Sequence, residues 1–222
     1  MINDSSIDDS WNIIIKMSKR NKFIKGINLK NNFGQHAAIF VGLKFAKGKK
    51  IITMDDDLQH SPKFILKIYD ALNKYDLCYS IYQKRQYGPI KKFVSYLNNL
   101  FSSILFNKST KIYLSSYRGF NVNVKKGVIK FLGNIIFLDS LLLKNSKKIG
   151  LVKVEHEKRY SGSSTYSIRA LFSLWFDMIV NYHFLPLRPG SLVGVVAKFF
   201  VIILKFPGIR KTKQFEIKSK TF

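Results

Sequence analysis

The sequence predicts an α/β protein with an open, mostly parallel sheet and helices on both faces. Three observations carry that prediction. Short apolar runs alternate with stretches of helical periodicity from Ser10 onward, and Gly, Pro and Asn signals separate them. One apolar strand also runs straight into three consecutive carboxylates. A chain of 222 residues can hold one good-sized core plus a short appendage. Its 46% hydrophobic and 14% aromatic content excludes a disordered chain.

The elements follow in order. Residues 10–20 read as a helix with Trp11, Ile14, Ile15 and Met17 at its apolar positions, and 23–29 as a short strand. Residues 35–46 form a helix closed by Lys47-Gly48. Residues 50–54 are a buried strand ending in an acidic turn, 62–73 the next helix, 77–82 a strand and 89–106 a long amphipathic helix. Strands are expected at 117–124 and 150–156, with a helix at 139–147 between them. Over 166–180, Leu171, Leu174, Trp175 and Met178 recur at i, i+3, i+4 and i+7, which fits either core packing or a helix lying in a membrane interface.

The most apolar run is 192–206. Its 15 residues reach only about 22 Å as a helix, against a hydrocarbon core of about 30 Å, and Lys198 sits mid-run. An interfacial, re-entrant or incomplete membrane helix fits better than a full span. The tail beyond it carries Arg210, Lys211, Lys213, Lys218 and Lys220, which suit anionic headgroups. The expected organisation is a main α/β domain over 1–164, an amphipathic juxtamembrane helix over 165–189, a short membrane-associated segment over 190–207 and a basic tail over 208–222.

The net charge of +25 favours polyanions: nucleic acid, anionic lipid or a phosphorylated substrate. Most of it is lysine spread along the chain, which fits either membrane attraction or a solvated surface shaped by an AT-rich genome. A nucleic-acid-binding module rests on charge alone, because no zinc spacing, recognition helix or aromatic-basic strand pair accompanies it. The single cysteine, Cys78, excludes an intramolecular disulfide framework and fits a reducing compartment. The polar, acidic opening 1–10 has no apolar signal region, so the domain is expected on the cytoplasmic side.

The sharpest chemical signal is Ile51-Ile52-Thr53-Met54-Asp55-Asp56-Asp57-Leu58-Gln59. On extended backbone, side chains two apart share a face, so Asp55 and Asp57 point together and Asp56 away. Two carboxylates held close repel unless a cation or proton lies between them. At the carboxyl end of a strand in an open α/β sheet, where ligands bind, Mg²⁺ or Mn²⁺ is the natural partner; a solvated acidic turn is the alternative. A metal phosphohydrolase would need a His-Asp ligand cluster that the triplet lacks.

Read as a block, Asn32-Phe33-Gly34-Gln35-His36-Ala37-Ala38, Gly48 and Ile52 to Gln59 with Pro62 resemble family 2 glycosyltransferases. The likeness is strongest to the branch with dolichol-phosphate mannosyltransferases and bacterial undecaprenyl-phosphate sugar transferases. The resemblance implies a GT-A fold, a nucleotide-diphosphate-sugar donor, an inverting mechanism, a divalent metal and a polyprenyl-phosphate acceptor at an anionic membrane surface. It implies no nucleic-acid partner and leaves a homo-oligomer open. Lys49 stands where the family usually has Asp, and Ser61 where it has the first Pro. The segment 113–118 resembles the motif in which many relatives carry an Asp before the aromatic-Arg pair; here Ser115-Ser116 precedes Tyr117-Arg118. The segment 155–167, with Arg159, Gly162, Ser164 and Tyr166, resembles the phosphate-holding motif ahead of the amphipathic helix, with Thr165 replacing the usual Lys. Pro186-Leu187-Arg188-Pro189 is similar to the PLR that ends the juxtamembrane helices.

On that resemblance, Asp55 and Asp57 hold the metal. Asp4, Gln35, Asp55 and Asp57 bind the donor; Arg118, Arg159, Ser164 and Tyr166 hold the acceptor phosphate; Asp57 and Arg159 carry catalysis. The family's opening strand, roughly V-I-P-x-Y-N-E, has no counterpart here. Met1 to Asp8 resembles the end of the second strand, with Asn3 and Asp4 at its acidic pair and Asp4 the nucleobase or ribose contact. The sheet is then expected to present unpaired edges, and an inactive remnant that binds only membranes or a paralogue stays open as an alternative.

Overall fold

The computed structural model describes residues 1–82, 95–96, 99–100, 102–103, 106, 108–131, 137–155 and 215–222. The expected membrane segments 165–189 and 190–207, and the site residues Arg159, Ser164 and Tyr166, lie outside the described residues. Among the described residues, no helix is long and apolar enough to cross a membrane.

Strands β1 (Ile2–Asn3), β2 (Ile27–Leu29), β3 (Lys50–Thr53), β4 (Leu77–Tyr82), β5 (Arg118–Asn121), β6 (Ile149–Val154) and β7 (Ile217–Lys220) alternate with helices. The helices are α1 (Ser10–Arg20), α2 (Gln35–Phe45), α3 (Ile65–Ala71), α4 (Val122–Ile129) and α5 (Leu138–Lys144), with a 3₁₀ turn at Pro62–Phe64 leading into α3. The α/β alternation read from the sequence is therefore present. Several boundaries move. The strand expected at 117–124 stops at Asn121, whose side chain accepts hydrogen bonds from the backbone N–H groups of Asn123 and Val124 and so caps α4. The strand expected over 23–29 is confined to its last three residues.

The pairing is mixed rather than mostly parallel. One sheet runs β1-β2-β7 and the other β3-β5-β4-β6. β1–β2 and β4–β6 are parallel; β2–β7, β3–β5 and β4–β5 are antiparallel. In the second sheet β5 inserts between β3 and β4 and runs against both. Among the described residues, β1 and β7 are the edge strands of the first sheet and β3 and β6 those of the second.

Alternation along β4 builds two cores. Leu77 and Tyr79 join Phe120, Phe40 and Leu43 of α2, Val124 and Val128 of α4, and Leu138 and Leu142 of α5. Cys78, on the opposite face, joins Ile68, Leu72, Tyr117, Val152 and Val154. Helices thus cover both faces of this sheet. Gly119 makes the second contact possible, because a Cβ there would lie 2.5 Å from the Ile68 side chain. The segment 208–222, expected as a basic tail, ends in β7. Phe215 and Ile217 pack with Ile27, Leu29 and Val41, while Lys30 pairs with Glu216 at 2.7 Å. The alternation Phe215-Glu216-Ile217-Lys218 is the period-2 signal of that strand.

Candidate active site

The acidic turn leaves the carboxyl end of β3 and bends over Asp56–Leu58, with exposure alternating along it. Asp55 and Asp57 are half-buried and Asp56 is exposed. The turn is completed by Leu58 at φ 63°, a left-handed conformation rare for a γ-branched residue, and by the Gln59 N–H, which donates to Asp57 Oδ1 at 3.1 Å. His60 is buried behind the turn, 4.9 Å from the Tyr117 ring and nearly parallel to it. Its Nδ1 accepts the Asp55 N–H at 2.9 Å, which assigns a neutral ring; the 3.9 Å approach of Nδ1 to Asp55 Oδ2 is therefore no ion pair. The Tyr117 hydroxyl donates to the Ser61 carbonyl at 2.9 Å and pins the far side of the loop.

Asp55 is held at both carboxylate oxygens. Gln35, the first residue of α2, donates from Nε2 to Oδ1 at 2.5 Å, and Ser116 donates from Oγ to Oδ2 at 2.6 Å. Asp4, just past β1, accepts at Oδ1 from the Phe33 N–H at 2.9 Å and at Oδ2 from the Gly34 N–H at 2.7 Å. The entrance to α2 thereby ties together the carboxyl ends of β1 and β3. Gly34 adopts φ 87°, where nothing would meet an added Cβ, so backbone conformation rather than space calls for glycine. Of the expected donor-binding residues, Asp4, Gln35 and Asp55 are linked through this entrance, and Asp57 lies on the same turn as Asp55.

Arg118, expected to meet an acceptor phosphate, is enclosed instead. It is 1% exposed because β5 is a central strand, and its Nη1 is ion-paired with Asp139, itself 3% exposed. The Tyr79 hydroxyl donates to the same Asp139 oxygen at 2.7 Å. Burial acts to lower the Arg118 pKa, but Asp139, Tyr79 and Asp55 outweigh it and hold the guanidinium above its ordinary value. Burial and the Asp139 carboxylate push the Tyr79 phenol well up. Burial also pushes His36 down, against the pull of Asp139. His36 Nδ1 and Arg118 Nε are buried without a hydrogen-bond partner. Sequence reading missed His60, Asp139 and the tie between Ser116 and Asp55; an acid inside the apolar run 135–143 was the available signal for Asp139.

The donor set suits a hard divalent cation. Asp55 and Asp57 offer carboxylate oxygens on the same turn, and each ionised carboxylate has about four lone-pair sites, so the hydrogen bonds to Asp55 leave acceptor capacity. Among the described residues, no group of three or more His, Cys, Asp or Glu side chains gathers into a metal cage. Two carboxylates plus the oxygens of a diphosphate is the pattern Mg²⁺ commonly takes.

An α/β sheet with its acids at a strand tip, beside a helix entered through glycine, is the build of a GT-A glycosyltransferase. The solved structure of glucosyl-3-phosphoglycerate synthase from Mycobacterium tuberculosis, in complex with Mn²⁺, UDP-glucose and phosphoglyceric acid, shares that fold. Its TM-score is 0.53 at 15% identity, over 80% of this chain and 64% of that one. The chain belongs to glycosyl transferase family 2, whose model matches residues 1–131. Among similar proteins is an undecaprenyl-phosphate 4-deoxy-4-formamido-L-arabinose transferase of Shewanella sediminis, 29% identical over 218 residues. A protein of the same name from Pseudomonas fluorescens is 30% identical over 200 residues, covering 87% of this chain and 58% of its own length. The chain spans 65% of the length of the Shewanella relative, which in turn matches 92% of this chain.

Proposed function

We propose that this chain carries the catalytic machinery for transfer of a sugar from a nucleotide-diphosphate donor to a polyprenyl phosphate, with inversion at the anomeric carbon. The observation that carries the reading is the paired acidic tip of β3, with Asp55 clamped between Gln35 and Ser116. The relatives' names supply the acceptor class, undecaprenyl phosphate.

Asp55 and Asp57 would hold Mg²⁺ or Mn²⁺. A bound divalent ion offsets the negative charge that develops on the departing nucleoside diphosphate. Asp4 and Gln35 fix the entrance of α2 against that site, so the donor meets a preformed surface. A phosphate monoester, with its second pKa near 6, is largely dianionic at neutral pH. Its oxygen can attack the anomeric carbon without first losing a proton, so Ser116 suffices where an alcohol acceptor would call for a basic carboxylate. The new carbon–oxygen bond forms as the bond to the diphosphate breaks, and the electron pair leaves with the nucleotide. Arg159 is assigned to the lipid phosphate with Ser164 and Tyr166, because a guanidinium forks onto phosphate oxygens. Arg118, buried against Asp139, is not assigned to the phosphate. The setting is the membrane surface, with the catalytic domain facing the cytoplasm.

The test is transfer from a panel of nucleotide sugars, 4-deoxy-4-formamido-L-arabinose donors included, to undecaprenyl phosphate in detergent, read by mass spectrometry of the lipid product. A lipid-linked sugar is expected from the wild-type chain and none from Asp57→Asn at unchanged folding. Full turnover in that variant, or no product from any donor, would refute the assignment.

A further inference from the structure

We propose that Ser116 is a positioning residue for Asp55, its hydroxyl serving as a hydrogen-bond donor that fixes the carboxylate. This rests on the reading of Asp55 and Asp57 as a cation and diphosphate site. The origin of the contact is strand register. β3 and β5 are antiparallel with Lys50 opposite Asn121 and Thr53 opposite Arg118. Carried two residues past the last pair, the same register sets Asp55 opposite Ser116, and the Ser116 Oγ to Asp55 Oδ2 distance is 2.6 Å.

The donor is itself held. The Thr53 hydroxyl donates to the Ser116 carbonyl at 2.7 Å. The neighbouring Ser115 Oγ accepts the Tyr117 N–H at 3.2 Å and lies 3.0 Å from Ser80 Oγ inside the sheet. Ser116 thus stands on a braced strand end rather than a free loop. With Gln35 on Oδ1 at 2.5 Å and the Asp55 N–H on His60 Nδ1 at 2.9 Å, Asp55 is held on three sides. The plane of its carboxylate is set before any cation arrives. An ionised carboxylate accepts and cannot donate, so its orientation here depends on neighbours that donate, as a serine hydroxyl does. Partners of this kind typically change metal affinity by about 10- to 100-fold when removed.

The test compares two side chains of the same shape, Ser116→Thr and Ser116→Val, which differ only in the hydroxyl. Mn²⁺ is titrated into the full chain with UDP at fixed concentration, and free Mn²⁺ is followed by its EPR signal. Ser116→Val is expected to bind Mn²⁺ roughly 10- to 100-fold more weakly and Ser116→Thr within a factor of about three of wild type. Thermal unfolding of both variants checks the fold, and Ser116→Ala replaces Val if that variant does not fold. Equal Mn²⁺ affinity of the variants with and without the hydroxyl overturns the positioning role and leaves the proposed function standing. No Mn²⁺ binding by the wild-type chain overturns both.

Discussion

Replacing Asp139 by Asn isolates one charge in the core. The amide keeps the shape and an oxygen for the Tyr79 hydroxyl, but it removes the anion that faces Arg118. That guanidinium is 1% exposed, so bulk water does not readily take over the role. Breaking a buried pair on one side costs about 3–5 kcal/mol. Against a domain stability of about 5–15 kcal/mol, that is a large share. A loss of about 4 kcal/mol shifts the folding equilibrium by nearly three orders of magnitude, and at this chain length lowers the melting temperature by roughly 8–16 °C. Urea unfolding followed by circular dichroism measures it. The double variant Arg118→Met, Asp139→Leu removes both charges and is expected to recover much of the loss, because paired removal of buried ions is often near neutral. If Asp139→Asn stays within about 1 kcal/mol of wild type, or the double variant costs the sum of the singles, the pair is not the buried ion pair argued for here.

Two further outcomes follow from the same geometry. His36 has its pKa lowered by burial, so below about pH 6.5 the unfolded chain takes up the proton more readily than the folded one. Stability is therefore expected to fall as pH drops from about 6.5 through the lowered folded value, and His36→Gln should flatten that limb of a pH series of urea midpoints. Asp4→Ala takes the acceptor from the part-buried Phe33 N–H and the exposed Gly34 N–H and is expected to cost about 0.5–1.5 kcal/mol. Because Gln35 follows directly, UDP binding measured by calorimetry should weaken as well; unchanged affinity would separate Asp4 from the donor site.

What the sequence by itself determined is local. The alternation of apolar runs placed β3, β4 and α2 within a residue or two, and with them the acidic triplet just past the tip of β3. The family motifs from Asn32 to Pro62 lie within one strand–helix–strand stretch, where neighbours in sequence are neighbours in space. Partners across the sheet were decided only by the tertiary structure. A strand's own pattern fixes which face each side chain takes, but not which strand lies beside it or in which direction. Antiparallel insertion of β5 set Ser116 against Asp55 and turned Arg118 into the core toward Asp139. The pairing of β7 with β2 likewise made a strand of residues whose composition read as a basic tail. Those contacts join residues 61, 21 and about 190 positions apart, beyond the reach of any local pattern.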